Sequence, residues 1–249
     1  MRESCRQGIL GVVFALDLES RGLRRVLSHS QRVRCAPGQA AWHVGGAAVV
    51  IEIGGVGREP ARLAANRLID QGAKWIVCAG FAAALDEKAR AGDVVVGAGV
   101  CHLASPQITH KCSPSLAAAI PPSGRLGYSI WRSDFVTADS VILTAEKKRD
   151  IYAQTRCAAL DMESSAVGEV CAKRDVPFLV VKGITDTADQ DLPEEVGALV
   201  QPAGWADRAS LILGRPGLWR RLWRLRKNAL TASDNLGDVL GTMFLRLFA

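Results

Sequence analysis

No stretch of the 249-residue chain approaches the ~20 consecutive apolar residues a membrane span needs, although 49% of it is hydrophobic. A spanning helix is therefore excluded, and the length allows a sizeable core in one domain or two. No secretory leader is expected. The apolar run in MRESCRQGILGVVFALDLES is about eight residues long, lacks a small-x-small cleavage site and meets Asp17 and Glu19 at once. It reads as the first strand. The seven cysteines (Cys5, Cys35, Cys78, Cys101, Cys112, Cys157 and Cys171) form no CxxC pair. Such an odd, scattered set suits reduced thiols in a cytoplasmic protein. Cys101, His102, His110 and Cys112 match no standard zinc spacing, and GGVG does not extend to a dinucleotide fingerprint. Neither a metal nor a cofactor is expected. No internal repeat is present, nor any low-complexity linker before about residue 190.

Charge is present but unevenly placed. The net charge is +6, and residues 203–249 hold eight basic residues against three acidic ones, so the tail carries nearly all of it. The basic balance thus reports a tail on a near-neutral body, and no nucleic-acid partner is expected. The expected division is a body over 1–202 and a basic amphipathic tail over 203–249.

The body alternates in pattern. GILGVVFAL, AAVVIEIGGVG, KWIVCAGFAAAL, GDVVVGAGVCHL and PFLVVKGITD are strand-like, with SDFVTADSVIL and CAALD as shorter candidates. EPARLAANRLIDQGA places Leu63, Ala64, Leu68 and Ile69 at helical spacing, and SSAVGEVCAKRD is a helix closed by the Asp-Val-Pro step. This alternation predicts a single α/β domain with a mainly parallel sheet. Ligands in such sheets bind beyond the carboxyl ends of the strands. Glu19, Glu163 and Asp186 each lie just past such an end.

Three carboxylates so placed suit the cleavage of a ribose–purine bond. One acid protonates the departing base, an ionised carboxylate holds the ribose diol, and a third activates water on the opposite face. Each has a blander reading alone: Asp186 as a turn cap, and Asp161 as the cap of the helix that follows. Asp161 is taken as structural.

LDMESSAVGEVCAKRDVPFLVVKGITDTADQ resembles the purine nucleoside phosphorylase and nucleosidase superfamily, notably the methylthioadenosine/S-adenosylhomocysteine nucleosidases. GILGVVFALDLES, GGVGREPA and VCAGFAAALDEKARAGDVVV resemble that family's first strand, glycine turn and Gly-rich strand end, in order over residues 8 to 190. The resemblance implies a three-layer αβα fold and a purine nucleoside substrate, with water or phosphate as acceptor. It implies that Glu163 binds the ribose hydroxyls, Asp186 protonates purine N7 and Glu19 handles the attacking water, with Met162 beneath the ribose. Val141 falls where the nucleosidases place a stacking aromatic. Phe81, after Gly80 in GFAAAL, stands where many members carry a hydroxyl near the ribose or phosphate. Arg21, Arg24 and Arg25 are the candidate anion site.

In PGLWRRLWRLRKNAL an ideal helical step puts Leu218, Trp219, Leu222, Trp223, Leu225, Ala229 and Leu230 on one arc. Arg220, Arg221, Arg224 and Lys227 lie opposite, and Arg226 interrupts the apolar face. Two expectations stay open for 216–230: an interfacial helix on an anionic membrane surface, or a face packed on the body or across a homo-oligomer contact. The first would make the protein cytoplasmic but peripheral to the inner membrane face. One superfamily branch is compatible with that combination, the hopanoid-associated phosphorylases, which act on adenosylhopane, a lipid-linked adenine nucleoside. A soluble nucleosidase for methylthioadenosine, adenosylhomocysteine or futalosine is the alternative enzyme. A non-catalytic nucleoside-binding or membrane-docked protein is the alternative class.

Overall fold

The computed structural model describes residues 8–122, 127–200 and 216–248. The apolar, β-branched runs form the strands. β1 (Gly8–Phe14) pairs in parallel with β4 (Ala47–Ile53) and with β5 (Ala73–Ala84), and β5 pairs in parallel with β10 (Phe178–Asp186). β6 (Val94–His102), β8 (Ile130–Thr137) and β9 (Ala159–Asp161) continue from β10, and β9 returns to β5. Half of the sheet therefore closes into a ring, β5-β10-β6-β8-β9, while β1, β4, β3 (Gln39–Val44) and β2 (Arg32–Val33) extend it on the open side. β7 (Ser105–Lys111) is a polar edge strand against β6. The central pairings are parallel; the antiparallel ones are the short closures and the edges.

Two helix pairs cover the sheet. α1 (Asp17–Leu27) packs on the C-terminal helix, α7 (Pro216–Phe248), and α2 (Arg58–Asp70) packs on α5 (Ser164–Lys173). The smaller helices are α3 (Pro114–Ala118), α4 (Ala145–Thr155) and α6 (Glu195–Val200). α2 has Glu59 in its first turn and Arg67 in its last, each complementing the helix dipole. Its buried stripe is Ala61, Ala64, Ala65 and Leu68, one step round from the expected arc, so Leu63 is 49% exposed. Small residues win that face because α5 lies close against it.

The boundary expected at residue 202 does not divide two bodies. Leu236, Val239, Leu240, Met243 and Phe244 of α7 are fully buried in the same core cluster as the strands. Gly22 and Gly237 make that docking possible: a Cβ on Gly237 would sit 2.3 Å from the Gly22 carbonyl carbon, so the two helices touch backbone to backbone. Among the described residues, no helix is long and apolar enough to cross a membrane.

Candidate active site

The strand ends converge on a cavity of about 400 Å³. Glu19, Glu163 and Asp186 all line it, as do Met162, Val141 and Phe81. These residues were expected at a site from the sequence, and the fold brings them together.

Glu19 enters from the first turn of α1. Its carboxylate accepts backbone N–H bonds from Ala15 and Leu16 at 2.8 and 2.9 Å, and from Phe81 at 2.9 Å. Gly80 explains the last contact. Its φ is +142°, and a Cβ there would lie 2.8 Å from the Glu19 carboxylate, so only glycine lets β5 approach so closely. Burial pushes the Glu19 pKa up to about 7, and nearby Glu163 adds to this, while Lys182 and the backbone donors work in the other direction.

Glu163 is the N-cap residue of α5, where the chain turns from β9 into the helix. It accepts from the Gly57 N–H at 3.0 Å and from Lys182 Nζ at 3.2 Å. The GGVG turn thus approaches by its backbone. Lys182 lies inside the wholly buried strand β10 and also contacts Asp161 at 3.0 Å. Burial opposes its charge, yet Cys78 and the carboxylates of Asp161, Glu163 and Glu19 hold its pKa well above the ordinary lysine value. Asp161 accepts from Thr137 Oγ1 at 2.9 Å, from the Ser164 N–H and from Ser164 Oγ. It therefore fixes the β8–β9–α5 junction, and it also lines the cavity.

Asp186 ends β10. Its Oδ1 accepts from Thr185 Oγ1 at 2.9 Å, and its Oδ2 from Lys148 Nζ at 2.6 Å. Lys148 is wholly buried on α4. Sequence reasoning missed both lysines. Lys182 left a signal, a cation inside an otherwise apolar strand. Lys148 left none, being one of several charges in AEKKRD.

The arginine expectation is corrected. Arg24 pairs with Asp17 at 2.8 Å, Arg25 pairs with Asp234 at 3.2 Å, Arg21 is exposed, and none of the three lines the cavity. They lie on the side of α1 turned toward α7 and solvent. The arginine at the cavity is Arg226, which enters with Leu222, Leu225 and Ala229 from α7. Asn228 ties this segment down by donating to the Thr185 carbonyl at 2.9 Å. Trp223 is 66% exposed, while the side chains of Leu218 and Trp219 lie outside the described residues.

Fold and site together define an enzyme that works on an N-glycosidic bond. The chain belongs to the Phosphorylase superfamily, which matches residues 38–204. Two curated relatives are 5'-methylthioadenosine/S-adenosylhomocysteine nucleosidases. That of Mycobacterium bovis is 25% identical over 225 residues, covering 73% of this chain and 87% of the relative. That of Shewanella denitrificans is 26% identical over 214 residues, covering 78% and 93%. The fold is that of futalosine hydrolase from Helicobacter pylori, with a TM-score of 0.74 at 16% identity, covering 96% of this chain and 98% of that one. The Neisseria meningitidis 5'-methylthioadenosine/S-adenosylhomocysteine nucleosidase, solved with methylthio-immucillin-A, also superposes at a TM-score of 0.74, with 18% identity and coverage of 95% and 98%.

Proposed function

We propose that the protein hydrolyses the N-ribosidic bond of an adenine nucleoside. The observation carrying this reading is the meeting of Glu19, Glu163 and Asp186 on one cavity, each held by different partners. Glu163, paired with Lys182, accepts hydrogen bonds from the ribose diol. Asp186 gives a proton to N7, so the base leaves as a neutral purine. Glu19 takes a proton from the water that attacks C1'. Its raised pKa makes it a stronger base than an ordinary carboxylate, which is the tuning this task needs. Val141, Ile142 and Phe81 offer apolar contact to the base. Water is favoured over phosphate as acceptor because Arg21, Arg24 and Arg25 do not line the cavity and Phe81 presents no hydroxyl.

A second reading concerns the substrate's remaining part. Leu222 and Leu225 form an apolar wall beside the strand-end acids, and the exposed Trp223 and Arg224 adjoin it on the same helix. Such a wall suits an adenine nucleoside with a large apolar substituent, as in the hopanoid-associated branch, presented at an anionic lipid surface. The test is adenine release by the purified protein from adenosylhopane in mixed micelles beside methylthioadenosine, adenosylhomocysteine and futalosine. Higher kcat/KM on the lipid-linked nucleoside supports the second reading. Turnover confined to the soluble nucleosides overturns it and leaves the first intact.

A further inference from the structure

The stripe that α7 turns toward the cavity is Leu222, Leu225, Arg226 and Ala229. These positions follow the i, i+3, i+4, i+7 spacing of one helical face, on which a leucine at 226 would have completed an apolar wall. Among the described residues that line the cavity, Arg226 is the only cation. Its basic neighbours, Arg224 and Lys227, are exposed and do not line it. Ala229 is buried, the two leucines are half-buried and Arg226 is exposed, which sets the arginine toward the mouth.

The acids of the site do not account for it. Glu163 pairs with Lys182, Asp186 pairs with Lys148, and Glu19 accepts from three backbone N–H groups. Among the described residues, none forms an ion pair with Arg226. A guanidinium is weakly hydrated and presents a planar fork of donors that matches a carboxylate. Adenine is uncharged and the ribose offers hydroxyls to Glu163. An anion on the nucleoside therefore belongs to the substituent that the ribose carries.

We propose that Arg226 is a specificity residue that binds a carboxylate at the far end of that substituent. Leu222 and Leu225 flank the apolar link between the carboxylate and the ribose. The substrate class is then adenine nucleosides with an acidic side arm, taken in preference to those whose arm ends uncharged. This rests on the nucleosidase reading of the three acids and not on the lipid-linked one.

The test compares carboxypropylthioadenosine, the analogue of methylthioadenosine whose arm ends in a carboxylate, with its uncharged methyl ester. kcat/KM for adenine release is measured on both, at neutral pH, with the full chain and with Arg226→Leu and Arg226→Lys. The acid-to-ester ratio is read within each protein, so a loss common to both substrates cancels. Wild type should favour the acid about tenfold. Arg226→Leu should bring the ratio to unity, and Arg226→Lys, which keeps the charge without the fork, should fall between. Equal wild-type rates on acid and ester overturn the proposal whichever variants fold. A ratio that Arg226→Leu leaves unchanged also overturns it. Two further arms separate other sources of the anion. Sugar 1-phosphate formed by wild type in added phosphate, and lost in Arg226→Leu, gives the arginine to the acceptor and overturns the proposal. Release of Arg226→Leu from phosphatidylglycerol vesicles, with the ratio kept, gives it to a lipid headgroup and does the same. If wild type frees adenine from neither compound, the nucleosidase reading fails, and titration calorimetry on the same pair decides separately. Tighter binding of the acid, lost in Arg226→Leu, supports the arginine's role, and equal affinities overturn it.

Discussion

At the scale of single residues, the site depends on charges placed where water is excluded. Glu19 is the clearest case. Its carboxylate is buried and bound by three backbone N–H groups, and burial outweighs them, raising its pKa to about 7. A base must be ionised to work, so kcat/KM should fall about tenfold per pH unit as pH drops below about 7. A pH series on the purified enzyme checks this, and full activity at pH 5 would deny Glu19 the role. The acids themselves were legible in the sequence because a carboxylate directly after a buried strand breaks the apolar pattern. The lysines that pair with them were legible unequally. Lys182 interrupts VVKGITD, a strand whose every residue is buried. Lys148 sits in a helix whose buried residues are only itself and Ile151, so the apolar spacing that would have marked an inward face is absent.

At the scale of elements, the same physics decides which pieces could be read in advance. β1, β4, β5, β6 and β10 carry long apolar runs because helices or other strands cover them. β7, SPQITHK, is an edge strand with mostly exposed side chains, and α4 is largely polar, so neither leaves a periodic signal. The closure of five strands into a ring rests on the two-residue pairing of β5 with β9, too short to show in a hydrophobic pattern. The α1–α7 contact depends on missing side chains. A Cβ on Gly22 would lie 1.9 Å from the Ser233 carbonyl oxygen, and one on Gly237 equally inside Gly22. Gly237→Ala should therefore force the helices apart and cost about 1–3 kcal/mol. Urea denaturation measures this, and an unchanged midpoint would show that the crossing tolerates a wider gap. Because Glu19 rides on α1, the same variant should also lose turnover.

At the scale of the whole molecule, helix α7 is two things along its length. Its second half is core, and Leu222, Leu225, Arg226 and Ala229 form one wall of the strand-end cavity. Sequence periodicity located the amphipathic stretch at 216–230 but not the covering partner, since an apolar arc looks alike whether it meets protein, substrate or lipid. Deleting the chain after Gly214 removes Leu236, Val239, Leu240, Met243 and Phe244, each contributing about 1.5–3 kcal/mol by burial. That truncation should abolish cooperative melting, and so it cannot report on lipid binding. Trp223→Glu with Arg224→Glu can. This pair lies outside the core; under the proposed lipid-surface reading, it should release the protein from anionic vesicles in co-sedimentation while methylthioadenosine cleavage persists. Unaltered vesicle binding would remove the interfacial role of this segment.

The central claim, hydrolysis of an adenine nucleoside at the joined strand ends, is met most directly by product analysis. Purified enzyme is incubated with methylthioadenosine, with and without millimolar phosphate, and the released base and sugar are separated. The expected result is adenine together with an equal amount of free reducing sugar, in the same ratio whether or not phosphate is present. Sugar 1-phosphate appearing whenever phosphate is added, or no adenine at all, would contradict it.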